Sequence, residues 1–318
     1  LKLIGLVLLQ MFDGRGNQLL KGVSRSFYIS LRLLPSPMRR AASLGYLLAR
    51  TSDTIADTDT APIHVRRECL SEFSKCIGGL SKFSNWPNSM VDAVGDSRER
   101  NLLDQTYLVL LELKKIPESE ALLIRELLET IISGQELDLI RFGHTSFENP
   151  VALLSAAELE DYTWRVAGCV GEFWTKLGFL TLGKRFSDFP ENELIERGIA
   201  YGKSLQLVNI LRDLAEDLAV GRCYLPVKHL DNTTELLAVH AIWLAKAEDG
   251  LADGEFYADQ LKSRFLRVAS VLPALLARKT LESMRGKTWP GLQQRIKIPR
   301  SAVYDSLINA FFKTPKNL

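Results

Sequence analysis

Asp53 and Asp57 stand four residues apart in the run Arg50-Thr-Ser-Asp-Thr-Ile-Ala-Asp57. Asp213 and Asp217 repeat the spacing in Asn209-Ile-Leu-Arg-Asp-Leu-Ala-Glu-Asp217. At about 3.6 residues per helical turn, each pair stacks on one helix face. Like charges so placed weaken an isolated helix by about 0.2–0.5 kcal/mol. A pairing that local stability disfavours, set inside apolar runs, asks for a cation. Carboxylate oxygens without His or Cys partners suit Mg2+, which keeps several waters and completes its octahedron with phosphate oxygens.

The companions of the two pairs are in register with them. Tyr46, Arg50, Asp53 and Asp57 form one stripe, and Gln206, Asn209, Asp213 and Asp217 form a second. Core-facing stripes hold Leu and Val, whereas these hold amides, a guanidinium and carboxylates. Arg212 and Arg222 flank the second pair and could take phosphate oxygens bidentately. A single pair of this kind is commonly a solvated helix face. Two pairs, each with polar companions, point to a site for a divalent cation on phosphate.

The rest of the composition narrows the class. The chain has 318 residues, 46% hydrophobic and 25% charged, with 40 basic and 38 acidic side chains and a formal net charge of +2. Such a balance implies a globular protein and no nucleic-acid partner. Four scattered cysteines form no CxxC motif and are too few for a disulfide scaffold, so reduced thiols and a cytoplasmic location are expected. Four scattered histidines offer no zinc spacing. Leu1–Phe12 is apolar but shorter than the roughly 20 residues that span a bilayer. The expectation is a segment that packs or touches a membrane peripherally, not an integral protein.

Positioning these residues falls to helices. Prolines and glycines punctuate segments of helical period: Met38–Thr58, Ile63–Leu80, Asn88–Leu113, Pro117–Arg141, Ser155–Leu182, Pro190–Val220, Glu235–Met284 with a kink or break at Pro273, and Pro299–Phe312. Ser155 with Glu158 has the capping-box spacing. Period-two alternation of β-branched residues is almost absent, and no linker or repeat marks a boundary. The architecture expected is all-α, with an N-terminal apolar segment over 1–20 and one helical domain over 21–318.

With these motifs in view, the chain resembles the squalene/phytoene synthase family of head-to-head prenyl transferases, soluble bacterial-type members above all. The resemblance begins at Ser24-Arg-Ser-Phe-Tyr28, runs through Leu33-Leu-Pro35 to Asp53–Asp57, and resumes at Tyr162-Thr-Trp-Arg-Val-Ala-Gly-Cys-Val-Gly171. It is densest in Gly202–Asp217 and Gly221-Arg-Cys-Tyr-Leu-Pro226, and ends with Leu272-Pro-Ala-Leu-Leu-Ala-Arg278. The first acidic motif departs from many relatives, which carry an additional carboxylate there. Arg165 stands where a less charged residue is expected, as a diphosphate ligand or a surface group.

The resemblance implies an all-α prenyl synthase fold around a central apolar cavity. It implies condensation of two farnesyl diphosphates through presqualene diphosphate to squalene, with Mg2+ as cofactor and NADPH as reductant. It assigns Asp53, Asp57, Asn209, Asp213 and Asp217 to the metal. Ser24, Ser26, Tyr46, Arg50, Gln206, Arg212 and Arg222 fall to the diphosphates, and Phe27, Tyr162 and Tyr224 to the carbocation or proton loss. Gly168 and Gly171 are expected as close-packing devices. No obligate protein partner is implied. Dehydrosqualene, presqualene diphosphate and phytoene are alternative products, a class I terpene cyclase shares the metal chemistry, and a non-catalytic assembly factor is the reading from another class.

Overall fold

Proline fixes φ near −65° and brings no N–H, so it suits the residue that hands the chain into a helix. Pro35, Pro62, Pro87 and Pro190 each occupy the N-cap, with φ of −57°, −56°, −63° and −57°. The computed structural model describes residues 16–24 and 27–312. Its helices are α1 (Gly16–Val23), α2 (Phe27–Leu33), α3 (Ser36–Asp57), α4 (Ile63–Ile77), α5 (Asn88–Val91), α6 (Ser97–Asp104), α7 (Thr106–Leu113) and α8 (Glu118–Phe142). They continue as α9 (Ala156–Thr163), α10 (Cys169–Leu182), α11 (Glu191–Ala219), α12 (Thr233–Asp259), α13 (Arg264–Met284), α14 (Trp289–Leu292) and α15 (Arg300–Phe312). The all-α expectation holds. No helix among the described residues is long and apolar enough to cross a membrane. Leu1–Phe12 lies outside the described residues.

The chain divides into two compact units between Leu139 and Ile140, within α8. In the first, α3 is held by an apolar stripe of Met38, Leu44, Leu47, Leu48 and Ile55, all fully buried. Phe73 of α4 and Leu102 of α6 belong to the same unit's core, and the Trp86 indole donates to Thr106 Oγ1 at 3.0 Å. In the second, α11 packs against α10, α12 and α13. Leu207, Leu211 and Leu214 of α11 join Trp243, Leu251 and Leu281 in one apolar core.

The structure differs from the expected pattern in three places. The long stretch from 235 to 284 breaks at Gln260–Ser263 rather than at Pro273, which lies inside α13. Neither Gly nor Pro marks that break. Lys262 N–H donates to Phe186 O at 3.0 Å and Ser187 Oγ donates to Gln260 O at 2.8 Å, so a turn from elsewhere in the sequence holds it. The stretch from 155 to 182 contains a π-turn at Trp164–Gly168 between α9 and α10. The run from 88 to 113 is three short helices. The cap at Ser155 does form: its Oγ accepts from Glu158 N–H at 3.3 Å, while the Glu158 carboxylate accepts from Leu154 N–H at 2.7 Å.

Strand structure among the described residues is a parallel ladder of two residues each, β1 (Val151–Ala152) and β2 (Arg222–Cys223). Val151 N–H donates to Gly221 O at 2.8 Å and Leu153 N–H to Cys223 O at 3.0 Å. Gly221 has φ +81°, and a Cβ there would lie 2.2 Å from Ser146 O, so both its backbone and its surroundings require glycine. This strap ends α11 and sets Arg222 beyond Asp217.

Candidate active site

Each acidic pair occupies the last turns of its helix: Asp57 is the final residue of α3, and Asp217 lies two residues from the end of α11. The carbonyl ends of a helix carry roughly half a negative charge, and basic side chains there are favourable. Neither helix has a basic residue in its last turn. Two carboxylates thus add to a negative pole at both places, an arrangement that a cation would relieve.

In the first unit, α3 lines up the residues foreseen for it. Ser24 is buried, its hydroxyl donating to Leu20 O at 2.5 Å. Phe27 opens α2 and tilts against the Tyr46 ring, with centroids 5.3 Å apart, and the Tyr46 hydroxyl donates to Val23 O at 3.2 Å. Arg50 forms an ion pair with Glu99 of α6 and lies 3.9 Å from Asp53 Oδ2. Asp53 Oδ1 accepts from Gln135 Nε2 of α8 at 2.7 Å. Ser26 lies outside the described residues.

Asp53 keeps 42% of its side chain open to water while protein crowds its other sides. That crowding, and next the charge of Asp57, raise its carboxyl above the ordinary carboxylate range; Arg50 and the Gln135 bond oppose the rise without cancelling it. A carboxyl with a raised folded-state pKa contributes stability below its unfolded value, and that contribution is lost as pH climbs through the folded value. Metal-free protein should therefore lose thermal stability relative to Asp53→Asn as pH rises from about 4 toward 8. Melting curves of both proteins in chelator check this, and a constant difference between them would contradict it.

In the second unit, α11 carries the other stripe. Arg212 grips the neighbouring Asp213 bidentately, Nε to Oδ1 at 2.7 Å and Nη2 to Oδ2 at 2.5 Å, both side chains about one-third exposed. Asn209 Nδ2 approaches Gln206 Oε1 at 3.4 Å. Tyr162 of α9 and Tyr224, just after β2, are stacked with centroids 4.9 Å apart and an interplanar angle of 22°. Phe142 flanks Tyr224 at 5.0 Å. Arg222 is half-buried in β2. Arg165 pairs with Asp161 at 2.9 Å one turn back.

Two neighbours of these residues were missed in the sequence. Glu99 and Gln135 reach α3 from elements 49 and 82 residues away from their partners. Gln135 did carry a signal: with Asp138 three residues on, it is a polar step among Ile131, Ile132 and Leu139, the pattern that marks Gln206 and Asn209.

The donor chemistry fits Mg2+. Among the described residues no group of three or more His, Cys, Asp or Glu side chains could hold a metal ion by itself. Two carboxylates per helix, with oxygen-bearing amides beside them, match an ion that draws its remaining ligands from water and phosphate.

A family description, squalene/phytoene synthase, matches residues 20–302. The chain is 31% identical over 209 residues to a squalene synthase of Yarrowia lipolytica, covering 66% of this chain and 44% of that protein. It is 31% identical over 202 residues to a presqualene diphosphate synthase of Rhodopseudomonas palustris, covering 63% and 58%. It thus spans less than two-thirds of the length of these relatives. The structure of TcSQS in complex with the ligand BPH1237 superposes with a TM-score of 0.76 at 22% identity, covering 93% of this chain and 85% of that one, and shows the same fold.

Proposed function

Because the chain belongs to the squalene/phytoene synthase family, whose members are prenyltransferases, we propose that it joins two farnesyl diphosphates head to head, through presqualene diphosphate to squalene. The observation that carries this reading is the pair of acidic helix ends, each with two carboxylates and no basic residue in its last turn. Asp53, Asp57, Asn209, Asp213 and Asp217 would hold Mg2+. When bound, the ion neutralises the charge that gathers on the departing diphosphate.

The chain's own residues divide the remaining work. Arg50, Arg212 and Arg222 pair with diphosphate oxygens, and Ser24, Ser26, Tyr46 and Gln206 supply hydrogen bonds to them. Loss of diphosphate from one substrate leaves an allylic cation; the double bond of the other attacks it, and a proton leaves as the cyclopropane closes. The stacked rings of Tyr162 and Tyr224, and the face of Phe27, favour the cationic stage through their quadrupoles. A tyrosine hydroxyl of that stack directs the proton loss. Once the remaining diphosphate of presqualene diphosphate has left, a hydride would be needed to reach squalene, and NADPH, when bound, would supply it.

Mass spectrometry of the products tests the assignment. Farnesyl diphosphate with Mg2+ and NADPH should give squalene, and omission of NADPH should stop the reaction at presqualene diphosphate or dehydrosqualene. Condensation of geranylgeranyl diphosphate alone would move the assignment to phytoene. A protein that turns over neither substrate and shows no diphosphate-dependent Mg2+ binding would be a non-catalytic member of the family.

A further inference from the structure

Gln135 sits in α8 with 7% of its surface exposed, one of the buried polar side chains of the first unit. Its Nε2 donates to Asp53 Oδ1 at 2.7 Å, while its Oε1 is buried with no hydrogen-bond partner. An orphaned buried acceptor costs about 1–3 kcal/mol, and an apolar residue of the same shape would avoid that cost. Packing alone therefore does not account for an amide here. With Asp53 ionised, as a metal ligand is, the opposite amide orientation would set oxygen against oxygen, so the ionised partner fixes Nε2 as the donor. The bond ties down Oδ1, while Oδ2 is the oxygen that Arg50 approaches at 3.9 Å.

Resting on the functional reading above, we propose that Gln135 is a positioning residue for the divalent cation. Its Nε2 orients the Asp53 carboxylate, and its Oε1 accepts a hydrogen bond from a water in the cation's hydration shell. Mg2+ retains such waters when protein supplies few ligands. Groups that orient a metal's ligands matter nearly as much as the ligands, and their loss typically lowers metal affinity about 10–100-fold.

Calorimetric titration of Mg2+ into the protein with excess inorganic pyrophosphate tests this, alongside thermal melting, in wild type, Gln135→Leu and Gln135→Met. We expect Mg2+ affinity to fall about 10–100-fold in both variants. The melting temperature should stay close to that of wild type, since removal of the orphaned acceptor offsets loss of the Nε2 bond to Asp53 Oδ1. A structural amide predicts the reverse: lower melting temperature with Mg2+ affinity intact. Affinity within twofold of wild type in either variant overturns the proposal and leaves the functional reading standing, whereas wild type that binds no Mg2+ overturns both. Should the apolar variants fail to fold, Gln135→Asn, which keeps the amide but withdraws it by one methylene, is expected to show the same loss of affinity. Unchanged affinity there overturns the proposal equally.

Discussion

Asp53→Asn and Asp213→Asn should each fold normally and slow the first ionisation by on the order of a hundred- to a thousandfold, the scale on which loss of one preorganised charge-stabilising group is felt. Each factor of ten corresponds to about 1.4 kcal/mol of transition-state stabilisation. Asparagine keeps the shape, and at position 53 its Oδ1 can still accept from Gln135 Nε2, so the local geometry survives. Each change also removes a like-charge neighbour one turn away at the negative end of a helix, which offsets the part-exposed ion pair with Arg50 or Arg212 that is given up and should leave stability close to wild type. Single-turnover formation of condensed product, measured beside thermal melting, reads both effects. Wild-type turnover in both variants would sink the assignment of these carboxylates to the metal.

The second large effect concerns stability. A Cβ added to Gly171 of α10 would lie 1.9 Å from Gly198 O and 2.4 Å from Gly198 C on α11. The obstacle is backbone, which cannot rotate aside as a side chain does. Gly171→Ala should therefore force the two helices apart. Its cost should sit at or above the top of the overpacking range, about 3 kcal/mol. At roughly 2–4 °C per kcal/mol for a unit of this size, the melting temperature should drop by roughly 6–12 °C. Gly168→Ala is the control from the same motif. Its nearest atoms are Lys203 Cγ at 3.0 Å and Trp164 Cδ1 at 3.1 Å, both on side chains that can yield. Alanine also gains up to about 1 kcal/mol of helix propensity, so this variant should melt near wild type. Equal melting of Gly171→Ala and wild type would mean that the helices do not meet as closely as described.

These two glycines also show what a sequence can and cannot disclose. Both stand in one helical motif and both read as close-packing devices; only the approach of α11 separates the one pressed on backbone from the one facing side chains. Local rules were legible wherever local physics decides. Prolines opened helices, Gly221 closed α11, Ser155 capped α9, and the acidic pairs fell on helix ends. Tertiary partners were not legible. Glu99 and Gln135 reach α3 across long stretches of chain, and the break before α13 is held by hydrogen bonds from Phe186 and Ser187. Tyr162 and Tyr224 are the intermediate case: each was singled out from its own motif, and the fold stacks one ring on the other.

The two-residue ladder between β1 and β2 joins chain positions either side of α9, α10 and α11, with Val151 N–H and Leu153 N–H bonding Gly221 O and Cys223 O at its two ends. Bonds of this kind contribute about 0.5–1.5 kcal/mol each, a small part of what holds the helices between β1 and β2 folded. The clasp should then open on its own, well below the free energy of global unfolding, in the manner of a small cooperative exchange unit. Its opening would release Arg222 and the chain beyond Asp217 while the helices stay folded. The amide protons of Val151 and Leu153 would exchange with solvent at the rate of that release, and so serve as a built-in clock for how often Arg222 leaves its station.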